Sequence, residues 1–274
     1  MIKTLKHLSY VLKIDVNEIE SIISNIDKHY YQKEEIKFDS NGIPKLKNGE
    51  IQKRILNPSI GRFKEIQNRI NVNVLQKLEI PYYAFGAIKG KDNIKNAKSH
   101  QGRKYIFTTD LKNYFPSIRH KDVFKMFISF GFSPTVARVL CQFTTYKGKV
   151  PQGAPTSSSI SNLVFIKTGK KLIGLAREHN LVFTSFIDDL TFSSPNDFKN
   201  ITNLILNAIV EDGYSISHKK TNYKTKNPIV TGVIVKNNCL DLPKSFKSKI
   251  NILECQKSAQ ADGIKRYIER VINA

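Results

Sequence analysis

The chain has 274 residues and a mass of 31.2 kDa, enough to bury one large core or two modest ones. Forty-four Lys and Arg against 23 Asp and Glu leave a formal charge of +21, while 40% hydrophobic and 10% aromatic residues exclude a disordered basic tail. Such a field attracts polyanions (nucleic acid, an anionic membrane surface or an acidic protein) unless it serves solubility alone, and the membrane reading is weak because no stretch approaches the ~20 apolar residues of a spanning helix.

Asp15 followed by Glu18 forms a capping-box pattern, and Ile19, Ile22, Ile23 and Ile26 recur at helical spacing, predicting an amphipathic helix. Between residues 36 and 56 an Asn48-Gly49 turn separates two short runs, predicting a hairpin with basic residues on both arms. Ile60, Phe63, Ile66 and Ile70, continued by Leu75 and Leu78, predict a further helix ended by Pro81. Residues 89 to 104, rich in Gly, Asn, Lys and His, read as a long polar loop. Tyr105 to Leu111 alternates as a strand with Asp110 at its end, and Phe124 to Phe143 reads as one helix. Val150 to Thr156 is a Pro- and Gly-containing turn leading into a helix through Leu175. Two β-prone runs, Leu181 to Ile187 and Leu190 to Ser193, meet at Asp188-Asp189, read as the two-residue tip of a hairpin. Phe198, Ile201, Leu204, Ile205, Ala208 and Ile209 predict a helix that Gly213 closes. Residues 228 to 242 read as a short hairpin and 245 to 274 as two basic helical segments. The whole is an α+β pattern without internal repeats. The N-terminus lacks the apolar core of a secretory signal, and Cys141, Cys239 and Cys255 fall in no metal or disulfide spacing, so a reducing cytoplasm is the expected setting.

An Asp-Asp pair at a turn is by itself ordinary turn chemistry. Here a second strand also ends in an acid, Asp110. Acids at the ends of neighbouring strands would crowd carboxylates together, which is unfavourable unless a cation neutralises them. Mg²⁺ prefers such oxygen ligands, and two ions ~3.5–4 Å apart clamp the attacking and leaving oxygens of a phosphoryl displacement. Spacing alone leaves nucleotidyl transfer and phosphodiester cleavage both open.

Four segments, in order, resemble the palm motifs of reverse transcriptases. Asp110 through Phe115-Pro116-Ser117 resembles the first, and Val150-Pro151-Gln152-Gly153-Ala154-Pro155-Thr156-Ser157 running into Ser161-Asn162 the second. Phe186-Ile187-Asp188-Asp189 resembles the third, usually written Tyr-X-Asp-Asp, and Gly213 with Lys220-Thr221 the fourth. Asn96-Ala97-Lys98-Ser99-His100 and Val230-Thr231-Gly232 resemble the Asn-Ala-X-X-His and Val-Thr-Gly elements of bacterial retron reverse transcriptases. The resemblance implies a right-hand polymerase: fingers with N-terminal helices over 1–103, a palm of antiparallel sheet and helices over 104–242 with a fingers insertion around 119–149, and a short helical thumb over 243–274. Lys244, Lys247, Lys249, Lys257, Lys265, Arg266 and Arg270 make that last segment basic.

By the same resemblance Asp110, Asp188 and Asp189 are catalytic and bind two Mg²⁺ ions beside the Leu111 carbonyl. Lys47 and Arg54 grip the triphosphate, with Lys45 or Lys53 as alternative registers. Phe115 is the aromatic gate against a ribose 2′-OH, Gln152 and Gly153 form the turn under the nucleotide, and Lys220, with Lys219 beside it, protonates pyrophosphate. Asn96, Ala97, His100, Val230, Thr231 and Gly232 are candidates for RNA binding or for bracing loops near the primer.

The implied function is an RNA-directed DNA polymerase that copies part of a cognate structured noncoding RNA, with dNTPs, into a short single-stranded DNA. Priming from an internal guanosine 2′-OH would leave a branched 2′-5′ RNA–DNA (msDNA), in anti-phage defence with a separate effector protein. An abortive-infection or group II intron-related reverse transcriptase and a catalytically idle RNA-binding scaffold are the alternatives. Intact Asp110, Asp188 and Asp189 count against the scaffold. Phe186 stands where Tyr is usual, Ile187 where a smaller residue is common and Ser158 where Pro is frequent, but no carboxylate is lost.

Overall fold

The computed structural model describes residues 1–38, 43–248 and 260–274. They form two compact units, one of residues 1–81 and 113–166, the other of 82–112 and 167–274.

The first unit is mainly helical. Asp15 caps the helix Val16–Ser24 by accepting from Asn17 N at 2.8 Å. Glu18, expected to close the capping box, instead accepts from Arg62 Nε at 3.1 Å. Strand β1 (Lys33–Ile36) pairs with β4 (Lys53–Leu56), and β2 (Leu46–Lys47) pairs with β3 (Glu50–Ile51). Asn48 and Gly49, with φ of 53° and 82°, make the predicted tight turn. The hairpin is shorter than expected, however: Arg54 lies on β4 opposite Glu35 of β1, not on the second arm of the Asn48-Gly49 hairpin. Gln67, fully buried on the helix Gly61–Asn73, accepts from Ser59 Oγ at 2.6 Å and donates to Tyr30 Oη and the Phe143 carbonyl at 2.8 and 2.7 Å. A buried amide satisfied in this way fixes which helices meet. The expected helix 124–143 is two, His120–Ser129 and Pro134–Thr144. Gly131 has φ 80°, Ser133 Oγ caps Val136 N, and Pro134 cannot continue a preceding helix.

The second unit is built on an antiparallel sheet of β5 (Tyr105–Asp110), β6 (Val182–Phe186), β7 (Asp189–Ser194) and β8 (Asn222–Lys224), in the order β6-β7-β5-β8. One aromatic row crosses all four strands: Phe183 opposite Phe192, Phe192 opposite Phe107, and Phe107 opposite Tyr223. The Phe183 and Phe192 rings stack at 4.6 Å. Full burial of such rings contributes roughly 1.5–3 kcal/mol each, and a one-residue slip would turn the row to the other face. The acids lie three residues along, so pleat alternation puts them on the opposite face from the aromatic row. The helix Thr202–Glu211 is closed by Gly213 with φ 91°, as its sequence predicted.

Residues 89–104 are not a loop throughout. They contain the helix Asn93–Lys98, capped by Asp92, which accepts from Lys95 N at 2.9 Å. The expected hairpin at 228–242 has a third strand, giving β9 (Ile229–Val230), β10 (Val233–Val235) and β11 (Leu240–Asp241) in the order β11-β10-β9. Ile94, Ala97, Val230, Val233 and Val271 share one core, so this small sheet, the helix Asn93–Lys98 and the helix Gln260–Ile272 pack together. Most of the other expected C-terminal helix falls on residues outside those described.

Candidate active site

β5 and β7 end together, with Asp110 and Asp189 paired across the ladder. The β6–β7 ladder closes on the pair Phe186–Asp189, so the two turn residues are Ile187 and Asp188. The tip is therefore one residue earlier than the sequence suggested, and Asp189 belongs to the strand. Ile187 takes φ 59°, unusual for a β-branched residue. Leu111 N donates to the Asp188 carbonyl at 2.9 Å, and Ser217 N donates to the Asp110 carbonyl at 2.8 Å. Backbone bonds thus bring Asp110, Leu111, Asp188 and Asp189 to one end of the sheet.

Asp110 is buried, and its Oδ2 accepts from Lys220 Nζ. Burial would lower the Lys220 pKa, but its hydrogen bond to Asp110 and the charges of Asp110, Asp189 and Asp188 outweigh it and raise it. Burial, then the charges of Asp188 and Asp110, push the Asp189 carboxyl up to about 7. That crowding of anionic groups fits a divalent cation. Among the described residues no three His, Cys, Asp or Glu side chains make a ready-closed metal cage. Mg²⁺ characteristically uses one or two carboxylates and completes its shell with water and substrate phosphate, so an open donor set suits it.

The two short elements outside the palm motifs touch each other. Asn96 Nδ2 donates to Thr231 Oγ1 at 3.2 Å, Thr231 Oγ1 donates to the Asn93 carbonyl at 3.3 Å, and Asn93 Nδ2 donates to the Thr231 carbonyl at 3.1 Å. Thr231 and Gly232, with φ 45° and 86°, form the tight turn between β9 and β10. His100 is fully buried, its Nδ1 2.7 Å from Ser193 Oγ and its Nε2 2.7 Å from Thr184 Oγ1, so it staples β6 to β7 on the face that carries the acids. Asn96, Ala97, His100 and Val230 are all at 0% exposure. Their side chains are therefore packed in the interior rather than presented on the surface.

The nucleotide-binding candidates other than Lys220 lie in the first unit. Gln152 O accepts from Asn57 N at 2.8 Å, tying its turn to the end of β4. Gly153 has φ 98°, and a Cβ there would lie 3.6 Å from Pro58 Cβ. Lys33 pairs with Glu35 and Lys53 with Glu34, whereas no ion pair among the described residues engages Lys47 or Arg54. Phe115 is half-buried, its ring centroid 6.0 Å from that of Tyr114.

A family described as "Reverse transcriptase (RNA-dependent DNA polymerase)" matches residues 9–235. The chain belongs to the reverse transcriptase family. The retron Se72 reverse transcriptase of Salmonella heidelberg is 29% identical over 265 residues, covering 92% of this chain and 67% of the relative. The retron Ec86 reverse transcriptase of Escherichia coli is 28% identical over 218 residues, covering 77% and 68%. The retron Mx65 reverse transcriptase of Myxococcus xanthus is 27% identical over 258 residues, covering 83% and 60%. A structure of telomerase from Candida albicans in complex with a TWJ fragment of telomeric RNA matches 87% of this chain and 54% of its own, with a TM-score of 0.54 at 12% identity. At that identity the likeness is one of fold, the right-hand polymerase. The chain is similar to retron enzymes, and its activity is that of an RNA-directed DNA polymerase.

One part of this reverse transcriptase escaped the sequence reading altogether. Residues 83–86 run along β6: Ala84 bridges Ser185 in parallel, Phe85 N donates to the Ser185 carbonyl, and Ser185 N donates to the Tyr83 carbonyl, each bond 2.8 Å. The only local signal was Gly86 following an aromatic run. In the basic C-terminal segment Lys265 and Arg266 are exposed, Lys247 pairs with Asp241 and Arg270 with Asp92, while Lys249 and Lys257 lie outside the described residues. Cys141 and Cys239 are free thiols. No helix among the described residues is long and apolar enough to cross a membrane.

Proposed function

We propose that this reverse transcriptase copies part of a cognate structured noncoding RNA into a short single-stranded DNA, primed by a 2′-OH of the same RNA and left as a branched msDNA. The observation that carries this reading is the pairing of Asp110 with Asp189, Asp188 beside them at the tip, in a chain similar to retron enzymes over most of its length. Asp110, Asp188 and Asp189, with the Leu111 carbonyl, would hold two Mg²⁺ ions, which when bound would supply a lowered pKa at the primer hydroxyl and charge neutralisation at the leaving pyrophosphate. Lys47 and Arg54 grip the triphosphate of the dNTP, Gln152 and Gly153 lie under it, Phe115 rejects a ribose 2′-OH, and Lys220 supplies a proton. The contact of Asn96 with Thr231 supports a bracing role for both short elements, which shape an RNA-binding surface from within. Fingers, palm and thumb over 1–103, 104–242 and 243–274, a cytoplasmic setting and anti-phage defence with a separate effector complete the reading.

Sequencing the nucleic acid that co-purifies with the protein tests it. A defined branched RNA–DNA species is expected; bulk cellular RNA without DNA would overturn the retron reading, leaving the polymerase to be assayed on an external primer-template.

A further inference from the structure

Gly86 has no left-handed φ to explain it. Its need is spatial: a Cβ there would lie 2.7 Å from Ile187 Cγ1, 2.8 Å from Ile187 N and 3.0 Å from Ile187 Cδ1. Distances below 3.0 Å cannot be kept, so either the 83–86 segment or the turn would have to move. The segment is held firmly. It is bonded to Ser185 on both sides, and Lys91 Nζ donates to the Tyr82 and Ala84 carbonyls at 2.6 and 2.8 Å. The Tyr83 ring packs 5.1 Å from Phe183, and its hydroxyl lies where a Cβ on Gly169 would come within 1.9 Å. The turn is the softer side, since Ile187 is held at φ 59° against its own preference.

We infer that Gly86 is a positioning residue for polymerisation, its bare Cα forming the seat that holds Ile187 in the left-handed turn and so fixes Asp188 and Asp189. The inference rests on the catalytic role proposed for those acids. The bulk of Ile187, where a smaller residue is common, is then matched by the missing side chain at Gly86. The two positions should behave as one unit.

Primer extension by the full chain, measured as kcat and KM for dNTP beside thermal unfolding, tests this. Gly86→Ala should lower kcat by about 10- to 100-fold, as sub-ångström displacement of reacting groups does, with KM within about twofold. In the Gly86→Ala background Ile187→Ala should restore at least half of the loss on a logarithmic scale, measured against Ile187→Ala alone, since two of the three close atoms go. Wild-type kcat in a folded Gly86→Ala variant overturns the proposal. So does a destabilised Gly86→Ala variant whose Tm and kcat Ile187→Ala leaves unimproved. A wild-type protein that extends no primer would instead sink the polymerase assignment.

Discussion

Asp110 and Asp189 stand directly opposite each other as the last pair of the β5–β7 ladder, and burial with the charges of Asp188 and Asp110 pushes Asp189 up to about 7. The fold thus holds together acids that repel one another, a cost that an active site sustains and a purely structural turn has no reason to. Replacing Asp188 and Asp189 together by Asn should abolish primer extension while leaving Tm, measured without divalent cation at pH 8, at or above that of wild type. Retained DNA synthesis in that variant would remove the assignment.

The acids were legible because the β-prone run Tyr105–Asp110 ends in an acid where the strand ends. The tip was misplaced by one residue because Ile187 has strong strand propensity, and nothing local announces that Gly86, 101 positions earlier, leaves room for its turn. The helix Asn93–Lys98 offers only Ile94 and Ala97 as apolar positions, too few for a period. The bond between Asn96 and Thr231 spans 135 residues, and no local pattern encodes such a contact. At Gly131, Ser133 and Pro134 the break signals were present, but the apolar run on either side hid them.

Lys220, not Lys219, reaches Asp110. Lys220→Ala should therefore lower the rate of single-nucleotide incorporation by about 100-fold, the usual scale for losing a general acid, and Lys219→Ala by less than about twofold. Rapid-quench measurement of one incorporation event separates the two; equal losses would mean that neighbouring positive charge, rather than a placed proton donor, is what counts.

Phe115 is half-buried beside Tyr114, whose hydroxyl donates to the Ser161 carbonyl at 2.7 Å and so fixes the local backbone. With the anchor on Tyr114, the neighbouring ring can be trimmed without losing the fold. Phe115→Val should raise the ratio of kcat/KM for ribonucleotides over deoxyribonucleotides by about 10- to 100-fold, the size expected when a steric block of a few atoms is removed. An unchanged ratio with unchanged Tm would reduce Phe115 to a packing residue.

His100 gives the stability a defined pH dependence. Burial first, then the charge of Arg103, pushes its imidazole down to about 3, while the unfolded chain binds a proton at the ordinary value near 6.5. Above pH 6.5 both states are neutral and the stabilisation is complete; as pH falls from 6.5 towards 3 only the unfolded state gains the proton, so stability drains away. Between pH 6.5 and 4.5 this one group should cost ~2–3 kcal/mol. Urea unfolding of wild type and His100→Gln at several pH values checks it. The variant, having lost a bond to Ser193 or Thr184, should be weaker at pH 7.5, and the gap should narrow steadily on acidification. Parallel curves would show that the acid sensitivity arises elsewhere.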